Sequence, residues 1–128
     1  GIRADLGHYV RSRWEANICR VYKLFGKNYN YESTRFYVIV NGIERSYCPD
    51  LFFAERNVYY EIKGHARSSK EWVCTCDNCV KNRETMLEVV KKYGIKIVLI
   101  GHEEYKRFRR KFSKKVNWEN RRHNNDNR

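Results

Sequence analysis

Apolar residues recur at spacings of three and four along the segment opened by Ser12-Arg13-Trp14-Glu15, where Trp14, Ile18, Val21, Tyr22 and Phe25 would line one face of an amphipathic helix. Gly26 is the expected C-terminal cap. From Tyr31 the period shortens. Phe36-Tyr37-Val38-Ile39-Val40 are aromatic or β-branched, as in a strand, and Asn41-Gly42 stops them with a dipeptide suited to the positive φ angles of a two-residue hairpin turn. A return strand is expected from Ile43 towards Tyr47, past the break at Pro49 and on through Leu51-Phe52-Phe53. After the polar turn Glu55-Arg56-Asn57 a further strand runs from Val58 to Lys63, so three antiparallel strands follow one another.

No apolar period exists between His65 and Cys79, which reads as a loop tied down by Trp72 and the cysteines. Helical spacing returns from Arg83 to Tyr93, with Met86, Leu87, Val90 and Tyr93 inward and Gly94 as a stop. Ile95 to Ile100 is a short, almost unbroken apolar run, the pattern of a strand covered on both faces. A last helix is expected from Glu103, with Tyr105, Phe108 and Phe112 spaced by three and four. This order describes one α/β domain over 1–120, a mixed sheet of about four strands flanked by helices, followed by a tail over 121–128 expected to be disordered.

Composition narrows the function. The 128 residues include 27 Lys or Arg against 15 Asp or Glu, a net charge of +12, which favours an anionic partner. Ten tyrosines, six phenylalanines and three tryptophans argue against disorder over most of the length. No run approaches the roughly 18 apolar residues of a membrane span, and the first residues lack the shape of a secretory signal, so an intracellular protein with no membrane partner is expected. Gly1 in place of an initiator Met fits one domain of a longer chain.

Two residues apart on a strand, Glu61 and Lys63 share one face, and Asp50 follows a proline that interrupts the neighbouring strand. Two carboxylates brought together there repel one another unless a divalent cation such as Mg²⁺ (or Mn²⁺) relieves them. An adjacent ammonium could then orient water or neutralise charge on a phosphate, an arrangement suited to phosphodiester hydrolysis. Each residue also has a plainer role. Glu61 and Lys63 could form a solvated ion pair, Pro49-Asp50 a turn, and Ser12-x-x-Glu15 a helix capping box.

Pro49-Asp50, a ten-residue gap and Glu61-Ile62-Lys63 resemble the signature of the PD-(D/E)XK nucleases. Asp5-Leu6-Gly7-His8 followed by Arg11-Ser12-Arg13-Trp14-Glu15-Ala16-Asn17 is similar to the opening of intron and phage homing endonucleases in that superfamily, whose relatives include the very-short-patch repair nucleases. The resemblance spans residues 3 to 105. It implies a restriction-endonuclease-like core, double-stranded DNA as substrate, Asp50 and Glu61 as Mg²⁺ ligands, Lys63 as partner of the attacking water and Glu15 as a further active-site carboxylate. It also implies a cytoplasmic or nucleoid-associated setting, with a phage or mobile element as one origin. The rivals are a repair or junction-resolving nuclease on the same fold and a non-catalytic nucleic-acid-binding module stabilised by zinc.

Cys74, Cys76 and Cys79 bring three soft ligands into one loop, whereas structural Zn²⁺ takes four in a tetrahedron. Cys48 or His65 could supply the fourth. The competing reading is small buried thiols with one disulfide. Between Lys106 and Arg128 lie ten basic and two acidic residues. Lys106, Arg109, Arg110 and Lys114 on the last helix, with Arg11, Arg13 and Arg20 near the first, are the candidate phosphate contacts. A long target would call for a homodimer or an additional DNA-binding domain.

Overall fold

Two short strands, Ile2–Arg3 (β1) and His8–Tyr9 (β2), pair antiparallel ahead of helix Arg13–Leu24 (α1) in a computed structural model that describes residues 1–120. The expected tail, with Arg121, Arg122 and Arg128, lies outside the described residues. The chain divides into two compact units: Gly1–Lys27 with the segment from Tyr105 onward, and Asn28–Glu104.

In the first unit, Ser12 caps α1: its hydroxyl accepts the Glu15 N–H at 3.1 Å and donates to Glu15 Oε2 at 3.2 Å. Glu15 Oε1 also accepts the Arg11 N–H at 3.4 Å. The Ser12 half of the predicted capping box is therefore present, with the Glu15 carboxylate reaching back to the Ser12 hydroxyl and the Arg11 N–H, and Gly26 takes the expected left-handed conformation, φ +65°. Ile18 and Val21 are buried as expected, but Phe25 is half exposed, its ring edge against Phe112. The last helix, His102–Phe112 (α3), contributes Tyr105, stacked on Trp14 with centroids 4.0 Å apart and 5.3 Å from the Trp118 centroid.

Beyond α3 the chain is held by Asn17, a wholly buried polar residue on α1. Its amide donates to the Glu119 carbonyl (3.0 Å) and the Tyr105 hydroxyl (2.8 Å), and its Oδ1 accepts the Glu119 N–H (2.8 Å). The Glu119 carboxylate accepts from Arg3 at 2.6 Å and faces Arg20 at 2.8 Å, while Arg20 Nε donates to Asp5 at 2.7 Å. Both ends of this unit are thus tied to one helix.

The second unit contains Asn30–Tyr31 (β3), Phe36–Val40 (β4), Ile43–Tyr47 (β5), Leu51–Phe53 (β6), Val58–Ile62 (β7), Asp77–Tyr93 (α2) and Lys96–Ile100 (β8). Its sheet is mixed and four-stranded, in the order β3-β6-β7-β8, antiparallel except between β7 and β8. Three antiparallel strands in a row are not what forms. β4 and β5 make a separate hairpin across Asn41 (φ +51°) and Gly42 (φ +76°), and Pro49, which has no N–H to give a ladder, stands between that hairpin and the sheet. Phe36, Val38 and Val40 on the hairpin's inner face pack with Val89 of α2.

Two further expectations shift. Helix α2 starts at Asp77 rather than Arg83, with Cys76 at its N-cap and an acidic residue in the first turn, where the helix dipole favours one. Its inner face runs through Cys79, Met86 and Val89; Leu87, rotated about 100° from Met86, is exposed. β8 is an edge strand and mostly half-buried, not covered on both faces. Among the described residues no helix is long and apolar enough to cross a membrane.

Candidate active site and metal centre

Asp50 immediately precedes β6, Glu61 lies near the end of β7 and Lys63 immediately follows β7. The adjoining antiparallel strands bring Asp50 against the backbone of Ile62, whose N–H donates to Asp50 Oδ2 at 2.7 Å. Both carboxylates are 7% exposed, a state that carboxylates rarely adopt without a partner. Lys63 Nζ stands 3.7 Å from Glu61 Oε2, as their shared strand face requires, and Tyr47 donates its hydroxyl to Glu61 Oε1 at 2.8 Å. Burial drives the Tyr47 phenol pKa strongly upward; the negative charges of Glu61 and Asp50 add to it, so both carboxylates act on one hydroxyl. Tyr47 is therefore neutral and a fixed donor to Glu61. Asp50 and Glu61 both offer buried carboxylate oxygens, the ligand type that a hard cation such as Mg²⁺ takes.

Tyr47 and Glu32 are additions that the sequence pattern did not point to. Glu32 follows β3, opposite Asp50; its N–H donates to the Asp50 carbonyl at 2.9 Å, and their carboxylates approach within 4.8 Å. It holds φ at +47°, a conformation that L residues other than glycine enter at a cost. Nothing local could reveal it, because β3 has only two residues and its register with β6 is a long-range property. Tyr47 had a weak signal: as the last residue of a strand that stops two positions before Pro49-Asp50, it was bound to lie near that carboxylate. Glu15 is buried in the first unit, where its carboxylate accepts from the Ser12 hydroxyl and the Arg11 N–H at the start of α1.

Around the cysteines the sequence left the fourth ligand open. Here His65 Nδ1 lies 3.6 Å from Cys74 Sγ, 3.7 Å from Cys76 Sγ and 3.4 Å from Cys79 Sγ. A tetrahedron with Zn–S of about 2.3 Å and Zn–N of about 2.0–2.1 Å has a sulfur-to-nitrogen edge of about 3.6 Å. All four donor atoms fall within 4.8 Å of one another, so the cluster can hold a metal ion such as zinc. Cys48 is not part of it; its thiol faces the Pro49 carbonyl. All five cysteines are free, so the disulfide alternative is not realised. The Cys79 backbone N–H, foremost among several donors, lowers the exposed Cys76 thiol to about 6, whereas burial pushes the Cys79 thiol up against the opposing influence of the Trp72 indole.

Of the candidate phosphate contacts, Arg11, Lys106, Arg109, Arg110 and Lys114 are exposed and Arg13 is half-buried. Arg20 is a correction. It is 6% exposed and its guanidinium is engaged by Asp5, Glu119 and Asn17, so it ties the fold together instead of facing solvent. Counted by unit, the first carries sixteen basic and four acidic residues and the second eleven of each, so the whole net charge belongs to the first. No family model matches the chain, and neither a curated protein nor a solved structure does so.

Proposed function

We propose that this protein is a metal-dependent endonuclease that hydrolyses phosphodiester bonds in double-stranded DNA, in the manner of the homing endonucleases its motifs resemble. The observation that carries the reading is the pair of buried carboxylates, Asp50 and Glu61, with Lys63 3.7 Å from the latter. Mg²⁺ held by these carboxylates would supply a Lewis acid and an acidified water. The Ile62 N–H fixes Asp50, and the Tyr47 hydroxyl fixes Glu61. The Lys63 ammonium orients the attacking water and offsets charge gathering on the phosphate. Hydrolysis joins the water oxygen to phosphorus and breaks one P–O ester bond, whose oxygen departs with a proton. The cationic first unit supplies the attraction to the DNA backbone.

The ion at His65, Cys74, Cys76 and Cys79 is a structural Zn²⁺ in this reading, since the three-sulfur, one-nitrogen set suits zinc and leaves no open position. That cluster also favours a second reading, a zinc-stabilised nucleic-acid-binding module without catalysis. Supercoiled plasmid separates the two: incubation with the protein should give nicked or linear product with Mg²⁺ and none without it. Binding with no cutting at any Mg²⁺ or Mn²⁺ concentration would leave the non-catalytic module.

A further inference from the structure

Trp72 touches both chemistries of the second unit. Its ring lies beneath the Lys63 ammonium, 5.7 Å from Nζ to centroid. The indole is buried with Ala66 and Cys79, and Cys74 packs against the same cluster. Its Nε1–H is buried without an acceptor at hydrogen-bond distance. Arg83 clamps the arrangement, its guanidinium 5.3 Å from the indole centroid and its Nη1 donating to the Cys74 carbonyl at 2.6 Å. One side chain therefore has a metal ligand against it and the candidate catalytic lysine over its face.

The backbone between Lys63 and His65 leaves little slack. The Lys63 N–H donates to the Ile100 carbonyl (2.9 Å), the Ala66 N–H to the Lys63 carbonyl (3.1 Å) and the His102 N–H to the Ala66 carbonyl (2.9 Å). Gly101 is required there, since a Cβ would stand 2.7 Å from the Ala66 oxygen and 2.8 Å from the Ser68 nitrogen. With its backbone fixed, the position of the Lys63 ammonium depends on the two groups that hold a flexible four-carbon stem: Glu61 at one side and the indole face at the other.

We propose that Trp72 is a positioning residue that transmits occupancy of the three-cysteine, one-histidine site to Lys63. Metal binding fixes the 74–79 segment, the segment fixes the indole, and the indole face holds the ammonium beside Glu61. The catalytic consequence rests on the nuclease reading; the physical coupling does not.

The test uses the full chain in two arms. In the first, NMR follows the Lys63 Hε protons, which the indole ring current displaces upfield in zinc-loaded protein. Trp72→Leu should abolish the displacement, Trp72→Phe should keep part of it, and Cys76→Ser in zinc-free buffer should diminish it although Cys76 is exposed. In the second arm, plasmid cleavage at saturating DNA should fall about tenfold or more in Trp72→Leu with DNA affinity unchanged, and recover to within about threefold in Trp72→Phe. Should Trp72→Leu fail to fold, Trp72→Phe and Cys76→Ser decide the matter, because one keeps an aromatic face and the other alters only an exposed ligand. An unchanged Lys63 signal in zinc-free Cys76→Ser, or a wild-type rate in folded Trp72→Leu, overturns the proposal. If the wild-type protein cuts nothing, the nuclease reading fails while the NMR arm still judges the coupling.

Discussion

The two units are built by opposite electrostatic rules. The first gathers the entire +12, sixteen basic residues against four acidic, and secures its two chain segments with arginines gripped by Asp5 and Glu119. The second is neutral, eleven against eleven, and gathers buried carboxylates and soft metal ligands instead. The difference has a physical logic. A cationic field attracts DNA but competes with a divalent ion for carboxylates, so a neutral unit is the better place for Asp50 and Glu61. In the proposed function, affinity belongs to the first unit and bond cleavage to the second.

The largest expected effect comes from breaking the second half of that division. Asp50→Ala and Glu61→Ala should each reduce Mg²⁺-dependent plasmid cleavage by about 10³-fold or more, with DNA binding retained, and Lys63→Ala should be severely impaired. Asp50→Ala also strands the buried Ile62 N–H, at about 1–3 kcal/mol, whereas Asp50→Asn keeps an acceptor and should lose activity without losing stability. Gel-shift binding alongside the cleavage assay checks this. Loss of binding in Asp50→Asn would mean that the two tasks are not divided.

How far the sequence disclosed this arrangement depends on the range of the interactions involved. Asn41-Gly42, the Ser12 cap and the shared face of Glu61 and Lys63 are set by a few neighbouring residues and were legible. The separation of the hairpin from the sheet was half-legible, since Pro49 announced a break but not which strand would take the vacant edge; that strand was β3, two residues long. Arg20 read as a surface cation because a basic residue on a helix usually is one, and only the distant Glu119 and the looped-back Asp5 make it a buried tie. Asn17 was invisible for the same reason. His65 was one of two candidates, and choosing between it and Cys48 required three sulfur distances.

The next effect in size concerns stability, and the metal should act on one unit only. Removing zinc with a chelator, then supplying Mg²⁺, should lower the melting temperature reported by Trp72 fluorescence by about 10 °C or more, since structural zinc contributes folding free energy directly. Trp14 and Trp118, in the first unit, should report a much smaller change. Single-tryptophan variants make the measurement. Elemental analysis finding no zinc in protein purified without chelator would remove its basis.

Charge comes third. Replacing Lys106, Arg109, Arg110 and Lys114 with Gln should make the slope of log affinity against log salt shallower by about 0.9 for each phosphate no longer neutralised. Lys81→Gln with Lys91→Gln, exposed cations of the neutral unit, should leave the slope nearly unchanged. The first set leaves the Asn17 and Glu119 hydrogen bonds intact, which a truncation from Asn117 would not.

The smallest effect is an acid sensitivity confined to the first unit. Hydrogen bonding from Arg20 holds the Asp5 carboxyl below its ordinary 3.8, and hydrogen bonding from Arg3, with Arg20 behind it, holds Glu119 below 4.5. A carboxyl whose folded pKa is depressed stabilises the fold above its unfolded value, and that stabilisation is lost as pH falls through the folded one. The Trp14 and Trp118 melting temperature should therefore be flat from neutral pH down to about 5 and decline below about 4.5. Both carboxylates are partly exposed, so the decline should be modest, of order 1 kcal/mol. Arg20→Gln separates this cause from general acid effects: it removes the principal partner of Asp5 and one of two on Glu119, so the variant should melt lower at pH 7 and lose less on acidification. A decline equally steep in Arg20→Gln would show that these ion pairs do not set the acid response.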